Sequence, residues 1–460
     1  MKESRLKPPS SGKPMRLLRN LMIIVLAALA VIAGAAGFLL FEGEQPEIAL
    51  QKEIRYLGKQ TEIPFSVTDR KRGLRSIVVT VSQNGEEQEL LTQNFDRQSW
   101  LGEAGPAQTE NKAVFDLART KLKEGQAEIV ITARDFSLAG TFKGNAAVER
   151  LAVEVDTKAP RIGLQHFQRY IRPGGSGIVV YDLSEPAQKH GAMIDDLFFP
   201  GFALNGKENR FIAYIALPWN SKGVQNSRVV ASDQAGNEGT AAFTMVFKNV
   251  REKSDSINIS DNFLNSKIPE FEEHYPEMTG SQTDKYLFVN NEVRNRNAAT
   301  IMELCGTPVA EQLWRDMFTR MPGQTMAGYA EERSYFYQGK EIDHQVHLGI
   351  DIASTANAPI KAANRGKVVF ADYLGIYGNM VLIDHGQGVF SLYSHLSRLD
   401  TTVGAEVDQN TVIAYSGATG MAGGDHLHFS MLIHGMFVTP IEWWDQHWID
   451  VNIKEIVSQL

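Results

Sequence analysis

The uninterrupted apolar run from Leu21 to Phe41 constrains this chain most, because it carries no charged or strongly polar side chain. A helix of about 20 apolar residues covers the hydrocarbon core of a bilayer. Residues 1–20 contain six basic side chains against the single acid Glu3, whereas Glu42 and Glu44 follow the run. Because basic flanks stay in the cytoplasm, the sequence predicts a disordered cytoplasmic tail at 1–20, a single-pass transmembrane helix at 21–41 and an exported chain beyond it.

A cleaved signal peptide is the alternative interpretation of this run. The small residues Ala33-Gly34-Ala35 offer a cleavage site, but Phe38-Leu39-Leu40-Phe41 continues the apolar run beyond them. The apolar region of a signal peptide is normally about 7–15 residues long. The sequence therefore favours an uncleaved anchor in the cytoplasmic (inner) membrane, with most of the chain in the periplasm or otherwise outside the cytoplasm.

The composition is that of a globular protein, with 43% hydrophobic and 22% charged residues. A chain of 460 residues predicts about three domains. The net charge of −8 leaves no basic stripe for phosphates, so nucleic acid is not an expected partner. The single cysteine, Cys305, excludes an intrachain disulfide and a cysteine-rich zinc finger, and we expect it to be a small buried apolar residue.

Short alternating runs separated by turn residues predict an all-β fold for residues 46–250. A weak internal repeat links the segments 131–135 and 229–237, each of which precedes a turn and a final strand. This repeat resembles the end of bacterial immunoglobulin-like modules. The resemblance implies two Ig-like β-sandwich modules, at residues 46–158 and 159–250, which act as a spacer, a binding arm or a scaffold.

The remainder of the chain changes character twice. Residues 251–324 begin as a polar segment and become helical near residue 286, which predicts a linker followed by a helix. Strand patterns return at residues 325–445 and predict a mostly antiparallel β domain, followed by a C-terminal tail at 446–460. Three tryptophans are expected to cap this domain as core residues rather than as a sugar platform: Trp443, Trp444 and Trp448.

Three segments of this last domain carry histidines: His347-Leu348-Gly349-Ile350-Asp351, Tyr393-Ser394-His395-Leu396 and Gly424-Asp425-His426-Leu427-His428-Phe429. On a strand, His426 and His428 point to one face of the sheet. Two imidazoles on one face need polar partners, so they are poor core filler. The three segments therefore predict one site that is assembled from several strands.

A hydrolytic zinc site usually has three protein ligands and one open position, and two histidines with one carboxylate are a common set. His347, Asp351 and either His426 or His428 provide such a set. We expect Gly349 to let the backbone bend so that ligands four residues apart converge. The remaining histidines would then donate hydrogen bonds to an oxyanion or move protons. No His-Glu-x-x-His motif is present, which argues against a helix-borne metalloprotease site.

Six blocks of sequence resemble, in type and order, the lysostaphin/LytM-type zinc endopeptidases. The blocks are His347-Leu348-Gly349-Ile350-Asp351, Tyr377-Gly378-Asn379, Asp384-His385-Gly386, Tyr393-Ser394-His395-Leu396, Ser416-Gly417-Ala418-Thr419-Gly420 and His426-Leu427-His428-Phe429. The resemblance implies a β-rich peptidase domain with a metal groove and cleavage of cell-wall peptidoglycan. It also implies that His347, Asp351 and His428 bind Zn²⁺ and that His395 and His426 are the catalytic pair.

The sequence thus predicts a membrane-anchored zinc endopeptidase that acts on peptidoglycan stems or cross-bridges. Some members of the family have lost metal ligands and activate amidases, and this chain retains every ligand position. The alternative functions are a non-enzymatic regulator of a cell-wall amidase or division partner, and an adhesin-like binding protein. His344, His434 and His447 are expected to be surface groups rather than ligands, and His385 to be a turn residue. His166 and His190 lack paired neighbours and are expected to have a surface or core role.

Overall fold

The structure, a computed structural model, describes residues 13–100, 102–204 and 206–460. The chain forms two compact units. The first extends to Lys158 and includes Gln234–Asn237, and the second contains the rest of the chain. The basic tail predicted at 1–20 lies outside the described residues as far as residue 12.

The apolar run forms helix α1 (Lys13–Leu40). The helix begins before residue 21, because Arg16 and Arg19 are good helix formers and continue the turn toward the N-terminus. The tail prediction is therefore wrong from residue 13 onward. The segment Arg16–Phe38 is long and apolar enough to cross a membrane, and none of it is buried against the protein. A membrane anchor and a signal sequence share these properties.

The rest of the first unit is a pair of packed β-sheets. Its strands are β1 (Glu47–Leu50), β2 (Tyr56–Leu57), β3 (Gln60–Thr68), β4 (Leu74–Gln83), β5 (Glu86–Asn94), β6 (Gln108–Asp116), β7 (Gly125–Asp135) and β8 (Ala146–Val155), with a short helical turn α2 (Ala139–Phe142). The sheet orders are β1-β3-β6 and β2-β8-β7-β4-β5. Alternate residues of β7, such as Ile129 and Ile131, are fully buried, as expected for a sheet with one face on a core.

The second unit begins with another pair of sheets. Its strands are β9 (Ile162–Phe167), β10 (Tyr170–Ile171), β11 (Ser176–Leu183), β12 (Lys189–Ile194), β13 (Leu197–Pro200), β14 (Phe202–Ala203), β15 (Arg210–Ala216), β16 (Ser227–Ser232), β17 (Glu238–Ala242) and β18 (Val246–Phe247). The two main sheets have the orders β14-β15-β11-β9 and β13-β12-β16-β17. Both β modules are thus sheet-rich, as predicted, and their immunoglobulin-like relationship stays a prediction.

The segment predicted as a linker is folded. It contains β19 (Lys253–Ile259), α3 (Asp261–His274), α4 (Gln282–Phe288), a π-helical turn (Val289–Val293) and α5 (Arg294–Leu304). Ser260 caps α3 by accepting a hydrogen bond from the Phe263 N–H at 3.2 Å. The polar composition concealed this order, because only one narrow face of α3, with Leu264 and Phe271, is buried and the remainder of the helix is mostly polar.

The C-terminal domain is built on one large sheet. Its strands are β20 (Gln324–Ala327), β21 (Glu331–Tyr337), β22 (Lys340–His347), β23 (Ile350–Ala353), β24 (Pro359–Lys361), β25 (Gly366–Tyr373), β26 (Asn379–Asp384), β27 (Val389–Leu399), β28 (Glu406–Val407), β29 (Val412–Ser416), β30 (Leu427–Ile433) and β31 (Met436–Val438). The main path is β20-β23-β30-β27-β26-β25-β28, with antiparallel pairing between its neighbours. A smaller sheet, β19-β21-β22, joins the former linker to this domain.

The chain ends in helices α6 (Pro440–Trp444), α7 (Gln446–Ile449) and α8 (Glu455–Gln459). The predicted tail at 446–460 is therefore ordered, and Ile449 and Ile453 are buried in the core. Trp443 is fully buried, which confirms its assignment to the core.

Candidate metal centre

Three buried side-chain atoms of the C-terminal domain, two nitrogens and one oxygen, form a triangle. Nε2 of His347, Oδ1 of Asp351 and Nδ1 of His428 lie 2.9 Å from one another. Asp351 on β23 and His428 on β30 are direct cross-strand partners, and His347 ends the preceding strand β22. Antiparallel pairing therefore brings together two residues that are 77 positions apart in the sequence.

The second ring nitrogen of His347 and of His428 is held by a neighbour. Nδ1 of His347 donates to the Gly328 carbonyl at 2.8 Å. Nε2 of His428 lies 3.1 Å from Oγ of Ser430, whose own proton goes to the Leu348 carbonyl at 2.9 Å. Carbonyl oxygens only accept, so both rings turn a lone pair toward the triangle. Burial lowers the pKa of His428 to about 4, so its ring is neutral at pH 7.

The arrangement of lone pairs calls for a cation. Two imidazole nitrogens and a carboxylate oxygen face one another at 2.9 Å, and their protons are already directed elsewhere. Three lone pairs that face one another at this distance in a buried site repel each other. Only a proton or a positive ion between them stabilises the arrangement. His347, Asp351 and His428 therefore form a site that can hold a metal ion.

His395 reaches the site through a distortion of strand β27. Two β27 residues, Ser394 and His395, face a single residue of β26, which is a β-bulge. His395 has a φ of +62°, a strained value for a residue with a side chain. Its Nδ1 donates to the Thr419 carbonyl at 2.9 Å, which leaves the Nε2 lone pair for the groove. Burial and the neighbouring rings of His426 and His428 lower the pKa of His395 well below its usual range.

His426 lies beside the triangle, one residue before β30. Its Nδ1 donates to the Gly424 carbonyl at 2.8 Å, and its Nε2 lies 3.6 Å from Oδ1 of Asp351. The rings of His395 and His426 have centroids 4.9 Å apart. The carboxylate of the neighbouring Asp425 accepts hydrogen bonds from Ser416 Oγ and from the Asn357 N–H. The structure thus brings all five predicted site residues into one groove.

The backbone bends at Gly349, as predicted, but the bend is not the reason that glycine is needed there. Gly349 does not have a left-handed φ, so the chain does not need glycine there for a bend. A Cβ at this position would instead lie 2.5 Å from the His428 ring and 2.7 Å from Ser430 Oγ. Glycine is needed because the His428 ring occupies that space.

Sequence reasoning missed several residues around the site. Arg333 on β21 points Nη2 at Oδ2 of Asp351, 3.3 Å away. Ser430 orients His428, and its alternation with His426 and His428 along one strand face was the available signal. The Thr419 carbonyl, which holds His395, had no signal because a backbone atom leaves none in the sequence.

The remaining histidines lie away from the triangle. His344 and His447 are exposed, as predicted. His385 is in the β26–β27 hairpin but is fully buried. The prediction for His434 is wrong: its ring packs against Phe202 and Phe199, and burial lowers its pKa to about 4.

The groove has a volume of about 1130 Å³ and contains the five site residues on its floor. Its lining also includes side chains from outside the large sheet, among them Lys267 of α3 and Arg333 of β21. Trp219 of the second β module also lines it. The groove is therefore a composite of the C-terminal domain and the segments that precede it.

Comparison with known proteins matches residues 345–440 to the model of Peptidase family M23. Over 97 residues the chain is 39% identical to the DD-carboxypeptidase/endopeptidase Mpg of Neisseria meningitidis serogroup B, covering 21% of this chain and 22% of that protein. Over 138 residues it is 29% identical to the murein hydrolase activator EnvC of Escherichia coli, covering 30% of each. The catalytic domain of lysostaphin from Staphylococcus simulans matches at 26% identity and a TM-score of 0.23, covering 26% of this chain and 92% of that chain.

The chain thus spans less than a third of the length of the curated relatives that it matches. The matched region nevertheless contains the complete triangle and both additional histidines. Residues 345–440, with these five side chains in one groove, form a domain of peptidase family M23.

Proposed function

We propose that this protein is a membrane-anchored, exported zinc metalloendopeptidase that hydrolyses peptide bonds in cell-wall peptidoglycan. The observation that carries the proposal is the triangle of His347, Asp351 and His428, with its lone pairs turned inward and its outer atoms held in place. The name of the Neisseria relative, a DD-carboxypeptidase/endopeptidase, supports the reaction and the substrate class.

The donor set fits zinc. Zinc takes histidine nitrogen and carboxylate oxygen at about 2.0–2.2 Å, and tetrahedral angles separate such ligand atoms by about 3.4 Å. The 2.9 Å separations are about half an ångström shorter, so small side-chain rotations would accommodate the ion. When bound, zinc supplies Lewis acidity toward a substrate carbonyl and activates water at neutral pH.

His395 and His426 are suited to proton transfer and to hydrogen bonding. Each ring uses Nδ1 to donate to a backbone carbonyl, so each keeps Nε2 for the substrate side. We assign to this pair the tasks of orienting the attacking water, holding its proton and stabilising the oxyanion. A ring fixed at Nδ1 accepts or donates a proton at one defined atom, which keeps the transfer distance constant.

The N-terminal helix supports the location. We assign α1 to the cytoplasmic membrane as an uncleaved anchor with its basic end inside, so the β modules and the M23 domain face the periplasm. Peptidoglycan lies in that compartment, and its stems or cross-bridges are the proposed substrate.

The test uses the zinc-loaded full chain in detergent and purified sacculi. We expect wild-type protein to release soluble muropeptides and His428→Ala to release none above background, because the variant lacks one metal ligand. His447→Ala is the matched control, since that histidine is exposed on α7. Equal release by wild type and His428→Ala would contradict the proposal. Mass spectrometry of the products would identify the scissile bond.

A second candidate function is a non-enzymatic regulator that activates an amidase or binds a division protein. The 29% identity to the murein hydrolase activator EnvC favours it. The complete set of five polar groups favours catalysis instead. Zinc content near zero in gently purified protein, together with stimulation of an amidase, would support the regulator.

A further inference from the structure

Helix α3 lies outside the M23 domain, yet it packs on a loop of that domain. Its buried face contains Leu264, Ile268 and Phe271, and with them the charged residue Lys267. Leu264 and Ile268 belong to a cluster in which Met421 of the loop takes part. A buried lysine is costly unless its charge is paired, so its contacts explain what this helix face does.

Lys267 and Glu270 hold the loop backbone from two points. The Lys267 ammonium donates to the Ala418 carbonyl and to Oε2 of Glu270, the latter at 3.2 Å. Oε1 of Glu270 accepts from the Gly420 N–H at 2.5 Å. The ion pair therefore fixes the peptide groups on both sides of Thr419 with charge-assisted hydrogen bonds, which are roughly twice as strong as neutral ones.

Thr419 connects this loop to the groove. Its carbonyl accepts the Nδ1 proton of His395 at 2.9 Å. Its hydroxyl donates to the Leu396 carbonyl at 2.9 Å and accepts from the Asn379 N–H at 3.0 Å. Thr419, which orients the strained His395, thus lies between the two peptide groups that the ion pair holds.

The opposite side of the loop is also confined. Met421 N–H donates to the Ile376 carbonyl at 2.9 Å. A Cβ at Gly420 would lie 2.3 Å from the Gly378 nitrogen, so the two backbones are in contact. The loop is therefore held between α3 and the turn before β26, and it can move only if one of these sides yields.

We propose that Lys267 and Glu270 are positioning residues that fix the Thr419 carbonyl and thereby hold His395 with Nε2 toward the groove. They act through the loop and need no contact with substrate. The catalytic consequence rests on the proposed peptidase function, whereas the structural consequence does not. Helix α3, which precedes the M23 domain, would thus position a proton-transfer residue of that domain.

The first experiment measures hydrogen exchange of the loop in the full chain. Lys267→Met and Glu270→Ala each remove the ion pair and one charge-assisted hydrogen bond to the loop, and each leaves the partner charge without its counter-ion. We expect the 416–423 peptide to exchange about 10- to 100-fold faster in each variant. Lys267→Arg and Glu270→Gln, which retain a donor or an acceptor, should remain within about threefold of wild type. Glu272→Gln on the exposed face of α3 is the control, since Glu272 pairs with Lys285.

The second experiment measures kinetics on sacculi and zinc content. Misplacing a proton-transfer group costs turnover, so we expect Lys267→Met and Glu270→Ala to lower kcat about 10- to 100-fold, with KM within about twofold. Zinc content should stay at the wild-type level, because the ion pair bonds to the loop backbone and not to His347, Asp351 or His428. Lys267→Arg should restore at least half of kcat.

Three outcomes would overturn the proposal: unchanged exchange of the loop, an unchanged kcat in both variants, or a loss of kcat that follows a loss of zinc. A variant that unfolds is recognised by its melting temperature, and the conservative pair then decides the question. If even wild-type protein leaves sacculi intact, the peptidase proposal fails, and the exchange experiment still tests whether the ion pair holds the loop.

Discussion

Ser430 lies two positions after His428 on the same face of the strand, and it orients the His428 ring. Its hydroxyl accepts from Nε2 of His428 and donates to the Leu348 carbonyl, so one side chain sets both the tautomer and the angle of the ring. Partners of this kind keep a metal-binding nitrogen deprotonated and aimed. The same site thus depends on a residue that binds no metal itself.

Replacing Ser430 with alanine should weaken zinc binding about 10- to 100-fold, because the His428 ring loses its orienting partner. Competition with a chelator measures the affinity. Ser458→Ala, at an exposed position of α8, is the control and should bind like wild type. An unchanged affinity in Ser430→Ala would mean that the strand alone orients the ring.

Gly349→Ala should disturb the site by overpacking. The added methyl would lie 2.5 Å from the His428 ring, so the ring must rotate or the strands must separate. We expect a loss of about 1–3 kcal/mol in unfolding free energy and a larger relative loss of zinc affinity. Gly223→Ala is the matched control, since a Cβ there meets nothing within 4 Å. Zinc binding at the wild-type level would contradict this steric role.

At the scale of elements, the hairpin of β26 and β27 determines the local geometry. The bulge within β27 turns His395 into the groove, and His385 is buried in the turn that connects β26 to β27. Nδ1 of His385 donates to the Arg365 carbonyl at 2.7 Å, and Nε2 accepts from Ser391 Oγ at 2.7 Å. One hairpin thus places the strained His395 at the site. It also contains the buried imidazole of His385, whose two hydrogen bonds stabilise the hairpin.

The buried imidazole predicts acid sensitivity. Burial lowers the pKa of His385 to about 4, whereas the unfolded chain binds this proton near pH 6.5. Between these values the unfolded state holds more protons, so stability falls as pH falls. At pH 5, His385 should cost about 2 kcal/mol relative to pH 7.5. Urea unfolding at both pH values measures this loss of unfolding free energy. Between pH 7.5 and pH 5, His385→Gln should lose about 2 kcal/mol less than wild type does. An equal pH dependence in both proteins would contradict the assignment.

At the scale of the whole molecule, the second β module and the C-terminal domain share a core. Tyr214 of β15 packs near Trp314 and Trp443. Glu442 on α6 accepts from Arg172 Nε and from the Ser176 N–H, both at 3.0 Å. Burial raises the pKa of Glu442, because those partners only partly offset its removal from water. The module is therefore part of a domain pair rather than a freely moving arm.

The shared core predicts how truncation affects the C-terminal domain. Removing residues 46–250 deletes Tyr214 and Ser176, which contact Trp443, and both hydrogen-bond partners of Glu442. The C-terminal domain should therefore lose its cooperative thermal transition or melt at least about 10 °C lower. Removing only 46–158 retains the shared core and serves as the control. Calorimetry of the two truncated chains decides between them, and a common melting temperature would show that the core is not needed.

Local pattern determined a large part of this protein. The apolar run specified a helix able to cross a membrane, alternation specified the sheets, and the histidine-bearing motifs specified the five groups of the groove, because these features depend on neighbours in sequence. The boundaries of α1 and the order within residues 251–285 were missed, since a mostly polar helix is held by a narrow buried face that composition hides.

Tertiary structure decided what depends on distant contacts. The sequence left open which of His426 and His428 completes the triangle, and cross-strand pairing of His428 with Asp351 resolves their positions. Only the tertiary structure shows that Gly349 leaves room for the His428 ring and that α3 bonds to the loop behind His395. It also shows that the second β module packs on the C-terminal domain. Each of these follows from atoms that meet across many residues of chain, and no local pattern records such a meeting.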